Sequence, residues 1–539
     1  MIKNNMNGIE LLDCTLRDGG HITGSYFGKE VIYDIAQKMI QSRIDILEVG
    51  FLKDCVFNPD YALYNNVKEA LSLLPPKIDS IKYALLVQED QYDDSKLEPC
   101  NGDIDIIRIS FHDYDLKEGL EFSKRVIDKG YKVYINPINL LGYSDEQVLK
   151  IVQRVNEIHP YAFSIVDTFG SMLKSDLIRL LYLLDNNLDP SINLGLHLHE
   201  NQSLSYSLAQ AFIEMKPPTR GITVDGSLYG MGRVPGNLCI ELIMEYMNRT
   251  HAAGYNMEPV YDAIDEYIVD IKKKIPWGYS TAYALSAQHH VHRTFAEYLV
   301  NKGTLKTKQI NQILSMIEPE RKTRWDKDYI EQLYIGYQNR GVNDRESIEK
   351  LRTCVQGKTV LLLASGSSIK NAENAIRELC CENTVISFSA NFVWERFECD
   401  FAFFSNFKRW DFYGNRNTYS HKIITSNLLS AGMAAEYVVN YADYAFSHNH
   451  LFDNCGIMLL KLVTNLGAGK VVLAGYDGFA NGSNFATKHL EKEIPANNWK
   501  RNHEMGKLIT EIASHVSVEF LTPSLYQEKS FLYNKKRGC

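Results

Sequence analysis

Ile9-Glu10-Leu11-Leu12-Asp13-Cys14-Thr15-Leu16-Arg17-Asp18-Gly19-Gly20-His21 begins as a short apolar run and ends in charged side chains and paired glycines. An apolar run of this length predicts a strand over 9–14, with a polar turn at its C-terminal end. The same unit recurs along the chain. Strands are predicted at 44–50, 82–88, 104–111, 131–137, 162–167, 193–199 and 222–226, and the stretches 29–41, 116–129, 144–157 and 203–214 between them carry apolar residues at helical spacing. Eight strand–helix units over residues 9–235 predict an α/β fold of the TIM (β/α)8-barrel type, with an open doubly wound sheet as its competitor. A barrel places its site at the C-terminal ends of its strands, and seven of the eight predicted ends are polar, among them Arg17-Asp18, Arg108, Asn136, Asp167-Thr168, His197-Leu198-His199 and Asp225.

Composition agrees with a folded enzyme or binder. The 539 residues are 45% hydrophobic and 23% charged, which excludes wholesale disorder and fibrous repeats. A net charge of −8 argues against nucleic acid as a partner. The ten cysteines form no CxxC ladder, and no run of 18 apolar residues occurs, so neither a disulfide framework, a zinc ribbon nor a membrane span is expected. A reducing cytoplasm is the expected compartment.

Residues 1–260 are assigned to the barrel. Residues 261–350 read as helices without an intervening strand, a helical extension of it. A second α/β pattern then begins, with strands predicted at 359–364, 384–388, 400–404, 422–425 and 470–474, and residues 357–539 are assigned to a Rossmann-like α/β domain. Its turn Ser365-Gly366-Ser367-Ser368 has the strand–turn–helix form that offers backbone N–H groups to a phosphate, although it is neither G-x-G-x-x-G nor a Walker loop. His448-Asn449-His450 repeats an H-x-H pattern without a carboxylate placed beside it and reads as a loop pair.

His197 and His199, two apart on a strand, point to the same face, and at a strand end that face is the barrel interior. Closure makes strand eight the neighbour of strand one, so Asp18 can complete a set of one carboxylate and two imidazoles. Mixed N and O ligands with open positions suit Mn2+, Mg2+ or Co2+. Each residue also has a structural reading: the histidines as satisfied polar groups, Asp18 as a helix cap, His21 as a polar loop residue.

Leu12-Asp13-Cys14-Thr15-Leu16-Arg17-Asp18-Gly19 resembles the D-x-T-L-R-D-G signature of the DRE-TIM metallolyase, or HMGL-like, superfamily, which holds the 4-hydroxy-2-oxovalerate aldolases, hydroxymethylglutaryl-CoA lyase and the isopropylmalate and homocitrate synthases. Gly195-Leu196-His197-Leu198-His199-Glu200-Asn201 is similar to the family's H-x-H strand, and Gly230-Met231-Gly232-Arg233-Val234-Pro235-Gly236-Asn237 to its glycine-rich segment. The resemblance implies that Asp18, His197 and His199 hold a divalent metal, Mn2+ first, with Asn237 where the lyase branch supplies a further ligand. It implies that Arg17 stabilises an enolate oxygen. Gly20-His21 stands where the synthases and the CoA lyase carry a glutamine, which is closer to the oxovalerate aldolases and makes His21 the general base.

The expected activity is therefore a class II aldolase that makes or breaks a C–C bond between a 2-oxo acid, most simply pyruvate, and an aldehyde. A Claisen-type acyl-CoA transferase or a CoA lyase is the alternative, and a barrel retained as an inactive scaffold is the non-enzyme reading. Glu48, Arg108, Ser110 and Asp167 are candidate contacts around the site, while Tyr279 and Tyr283 read as packing residues. A homodimer is expected. The second domain resembles bacterial sialyltransferase-like and surface-polysaccharide proteins at 365–368, Ser389-Ala390-Asn391-Phe392 and Ala474-Gly475-Tyr476-Asp477-Gly478-Phe479, which implies a nucleotide or nucleotide-sugar ligand, or else a module that only positions the barrel.

Overall fold

The structure is a computed structural model that describes residues 8–339, 341–414, 419–429, 435–446, 454–480, 484–487 and 498–527. The chain divides into two compact units, residues 1–297 with 318–325 and residues 298–317 with 326–539.

In the first unit eight parallel strands close into a barrel: β1 (Ile9–Asp13), β2 (Ile46–Leu52), β3 (Lys82–Gln88), β4 (Ile106–Phe111), β5 (Lys132–Pro137), β6 (Ala162–Asp167), β7 (Asn193–Leu198) and β8 (Ile222–Gly226). Closure runs through β1, which pairs with β8 at Asp13↔Gly226 and with β2 at Leu12↔Ile46. A two-residue strand, Leu63–Tyr64, is added beside β2. The closed ring excludes the open-sheet competitor.

Period-two alternation explains the interior. Leu12, Cys14, Ile46, Ala84, Ile106, Tyr134 and Ala162 form a small buried cluster inside the ring. Two residues further along three of those strands the same inward face carries Glu48, Arg108 and Asn136, all buried. The barrel floor is thus apolar and the layer above it charged. The opposite parity, such as Leu47, Leu85, Ile107, Val133 and Phe163, packs outward in the large core cluster, where Leu120, Phe122 and Val126 of the helix Leu116–Asp128 also lie. The helix Asp145–Ile158 starts at a capping box in which Ser144 and Gln147 satisfy each other's backbone N–H groups.

The helices Glu258–Ala263, Val269–Lys274 and Thr281–Gln288 belong to the first unit, and Thr307–Leu314 and Lys327–Gln338 to the second. The second unit is built on a parallel seven-stranded sheet: β9 (Thr359–Leu363), β10 (Val385–Ala390), β11 (Cys399–Phe404), β12 (Tyr419–Thr425), β13 (Tyr437–Val439), β14 (Lys470–Ala474) and β15 (Ser517–Phe520), in the order β13-β12-β11-β10-β9-β14-β15. The chain order reverses between β9 and β14. β13 and β15 lie outside the predicted strands because they are short edge strands of three and four residues, with little continuous apolar signal. Among the described residues no helix is long and apolar enough to cross a membrane.

Candidate metal centre

Asp18, His197 and His199 come together at the C-terminal mouth of the barrel. One ligand atom from each lies within 4.8 Å of the others, and all three residues are buried. Asp18 follows β1, His197 is on β7 and His199 directly follows it, so closure of the ring brings them together.

Each ligand atom is prepared by a hydrogen bond on its other side. His197 Nδ1–H donates to Asp225 Oδ2 at 3.0 Å, and His199 Nδ1–H donates to the Asp167 carbonyl at 2.9 Å. Both bonds leave the Nε2 lone pair for an ion. Burial first, then the neighbouring His197, pushes the His199 pKa down to about 3, so its ring is neutral. Asp18 is ionised: burial opposes this, but Arg17 and then His21, His197 and His199 hold its carboxyl well below the usual range. Its Oδ1 accepts from Arg17 Nη1 at 2.6 Å, and its Oδ2 accepts from Asn237 Nδ2 at 2.5 Å and from the Arg233 backbone N–H at 3.3 Å.

The donor set fits a cation. Among the described residues His199 Nε2, buried 4.0 Å from Asp18 Oδ2, has no hydrogen-bond partner, and neither has the buried Asn237 Oδ1. An unpaired buried acceptor is costly, and a bound ion removes that cost. Asn237 reaches the site because its segment bridges back to His199. Gly232 makes room for it: a β-carbon there would lie 2.3 Å from Asn237 Nδ2 and 2.6 Å from Asp18 Oδ2.

Beneath the ligands lies a buried charge network. Arg17 Nε donates to Glu48 Oε2 at 2.7 Å, Arg108 Nη1 donates to Glu48 Oε1 at 3.2 Å, and Arg108 Nη2 donates to Asp225, the carboxylate that orients His197. Arg17 Nη2 is left without a hydrogen bond among the described residues, on a side chain that lines the cavity. That cavity measures about 390 Å³, within the range of small-molecule sites, and Arg17, Asp18, His21, Arg108, His197 and His199 are among its walls. His21 Nε2 stands 3.7 Å from Asp18 Oδ1 with its ring 45% exposed. Enclosure by the protein is the main cause that lowers its pKa to about 4; Asp18 opposes the shift, and Arg17, Arg233 and Arg293 add to it.

Of the other candidates, Arg108 and Ser110 line the cavity, Glu48 and Asp167 act through their partners, and Tyr279 and Tyr283 do not reach it. Tyr279 is exposed, and the Tyr283 hydroxyl donates to Glu297 at 2.9 Å. Arg233 and His292, which also line the cavity, lie outside the predicted set. The glycine-rich segment carries a signal for Arg233, whereas nothing local marks His292. Asp225 was legible as a strand end, and its partners come only with closure.

In the second unit a cavity of about 190 Å³ opens where the strand order reverses, lined by residues that include Gly366, Asn391, Gly475 and Asp477. The turn at 365–368 is engaged: Asp477 accepts from the Ser368 backbone N–H at 2.8 Å and from its hydroxyl at 2.5 Å. His448 and His450 lie outside the described residues.

A closed parallel barrel with a carboxylate and two oriented imidazoles at its mouth is the frame of a metal-binding TIM-barrel enzyme. Comparison with known proteins agrees. Residues 113–266 match the HMGL-like family model. The chain is similar to the 4-hydroxy-2-oxovalerate aldolase of Marinomonas sp. (strain MWYL1), 25% identical over 269 residues that cover 48% of this chain and 76% of that one. It is similar also to the enzyme of that name from Pseudoalteromonas translucida (strain TAC 125), 22% identical over 51% of this chain and 83% of that one. In fold it resembles the crystal structure of the N-terminal domain of a candidate aldolase from Bacteroides vulgatus, with a TM-score of 0.50 and 24% identity over 56% of this chain and 99% of that one. The HMGL-like match lies within the barrel unit.

Proposed function

We propose that the protein is a divalent-metal-dependent aldolase acting between the enolate of a 2-oxo acid, most simply pyruvate, and an aldehyde. The observation that carries this reading is the pair of oriented imidazoles facing ionised Asp18, with a guanidinium and a third imidazole beside them. Asp18, His197 and His199 would hold the ion, with Asn237 Oδ1 as a further donor, and Mn2+ as its identity. Such an ion supplies Lewis-acid polarisation of the 2-oxo acid.

The chain's own groups account for the rest. Arg17, held by Glu48 and Asp18, presents Nη2 to the oxygen on which negative charge develops when the C–C bond breaks. Its permanent charge leaves it no proton to lose there. His21, lining the cavity beside Asp18, accepts the proton of the 4-hydroxyl at Nε2 during cleavage and returns it during condensation. Gly20-His21, in place of the glutamine of the synthases and the CoA lyase, favours aldol over acyl-CoA chemistry. The barrel would serve in making an unusual sugar acid for a surface polysaccharide, in a cytoplasmic homodimer. The second unit would take a nucleotide or nucleotide sugar at its 190 Å³ cavity.

Solvent deuterium exchange into the methyl group of pyruvate, followed by NMR, tests the barrel reading without knowledge of the aldehyde. Exchange is expected with Mn2+ and is lost with EDTA and in His199→Ala. No exchange under any condition overturns the pyruvate assignment and turns the search to acyl-CoA substrates. For the second unit, saturable CMP binding lost in Gly366→Leu supports the ligand reading, and its absence in the full-length protein overturns it.

A further inference from the structure

The four arginines that line the barrel cavity fall into two pairs. Arg17 and Arg108 are matched by Asp18, Glu48 and Asp225. Arg233 and Arg324 form no ion pair among the described residues: the first meets His292, and the guanidinium of the second stands 5.9 Å from the centre of the Tyr114 ring. Asp18 is the only carboxylate among the lining residues whose side chains are described, and it already serves Arg17. The outer part of the cavity therefore carries uncompensated positive charge, in a recess where screening by solvent is reduced.

The contact between Arg233 and His292 shows what is missing. Arg233 Nη2 lies 2.8 Å from His292 Nε2, and the Thr294 backbone N–H donates to His292 Nδ1 at 3.3 Å. A neutral imidazole has one acceptor nitrogen. If Nδ1 accepts from Thr294, then Nε2 carries the proton and two donors face each other. If Nε2 accepts from Arg233, the clash moves to Thr294. An oxyanion that accepts from both Arg233 and Nε2–H satisfies every donor at once. The loop that carries Arg233 also donates its backbone N–H to Asp18, so this place and the metal ligands border the same cavity.

We propose that Arg233 and His292, with Arg324 at the rim, form an oxyanion subsite, and that the aldehyde partner carries a terminal carboxylate or phosphate held there. Its identity as an aldehyde rests on the aldolase reading, whereas the anion site rests on these side chains alone. A guanidinium fork and an imidazole N–H are matched donors for either group.

Two measurements on the full-length protein test this. Inorganic phosphate titrated into the EDTA-treated protein and followed by 31P NMR is expected to bind saturably and at least tenfold more weakly in Arg233→Gln and in His292→Leu. Binding unchanged in both variants overturns the subsite, and the two are scored separately so that failure of one to fold leaves the other decisive. With pyruvate and Mn2+, succinic semialdehyde and glyceraldehyde 3-phosphate are compared with propionaldehyde and glyceraldehyde. At least one anionic member is expected to exceed its neutral counterpart tenfold or more in kcat/KM, with the preference lost in Arg233→Gln. Whichever pair shows the preference identifies carboxylate or phosphate, and parity in both overturns the assignment. Arg233-dependent phosphate binding without pyruvate exchange leaves the subsite standing and the aldolase reading fallen. Exchange with phosphate binding indifferent to Arg233 does the reverse.

Discussion

Gly232 has no side chain, yet it determines where two others sit. Its hydrogen occupies the place from which a methyl group would press on Asn237 and Asp18, both of them buried. Gly232→Ala is expected to displace the Asp18 carboxylate and weaken Mn2+ binding by roughly 10- to 100-fold, the range seen when the support of a ligand is lost; isothermal titration checks this. Asp13, fully buried behind the site, is a second residue with a readable consequence. Burial raises its pKa from 3.8 to about 7, against the hydrogen bonds from Thr15 that favour the carboxylate. The folded chain then holds a proton that the unfolded chain releases near 3.8, so this group's contribution to stability falls as pH rises from about 4 to about 7. Asp13→Asn keeps the shape without the charge. Its stability relative to the parent is expected to grow by up to ~1 kcal/mol per pH unit across that window, measured by urea unfolding at pH 5, 6 and 7.

At the scale of the strand, parity does most of the work. A two-residue step along β2, β4 or β5 carries the inward face from Ile46 to Glu48, Ile106 to Arg108 and Tyr134 to Asn136, from floor to site. Those positions were legible from alternation alone. Their pairing was not, because Arg108 on β4 meets Glu48 on β2 and Asp225 on β8, partners 60 and 117 residues away in sequence. Asp225 serves Arg108 and His197 with the same oxygen, which ties the charged layer to the metal ligands. Asp225→Asn is expected to release His197 from its tautomer and lower Mn2+ affinity roughly 10- to 100-fold, while far-UV circular dichroism shows the barrel retained. Unchanged affinity would mean that His197 is not a ligand.

For the whole molecule, the ligand set lies entirely within the first of two units. A ligand that binds only the folded form stabilises the unit that holds it. Mn2+ at one hundred times its Kd is expected to add about 2.7 kcal/mol to the barrel, seen in calorimetry as an upward shift of one transition, reversed by EDTA, with the transition of the second unit unmoved. A shift of neither transition would remove the metal from the barrel. The helical stretch after the barrel shows the limit of local reading at this scale. Its helices are legible from their periodicity, but which of the two units each packs into depends on contacts between distant segments.

The amino-acid sequence by itself determined the eight-fold strand–helix alternation, the inward face of each strand and the strand-end candidates Arg17, Asp18, His21, His197 and His199, because side-chain periodicity and strand-end polarity are local properties, whereas Asn237 became a candidate only through the resemblance of its glycine-rich segment to the HMGL-like pattern. Only the tertiary structure decided which nitrogen of each histidine is free, since the Asp167 carbonyl and the Asp225 carboxylate that settle it arrive from other strands. It alone brought His292 to Arg233, and it placed Asp477 in the turn at 365–368 that reads in isolation as an open phosphate cradle. Hydrogen-bond partners across a closed sheet are set by closure and stagger, and no window of sequence contains either.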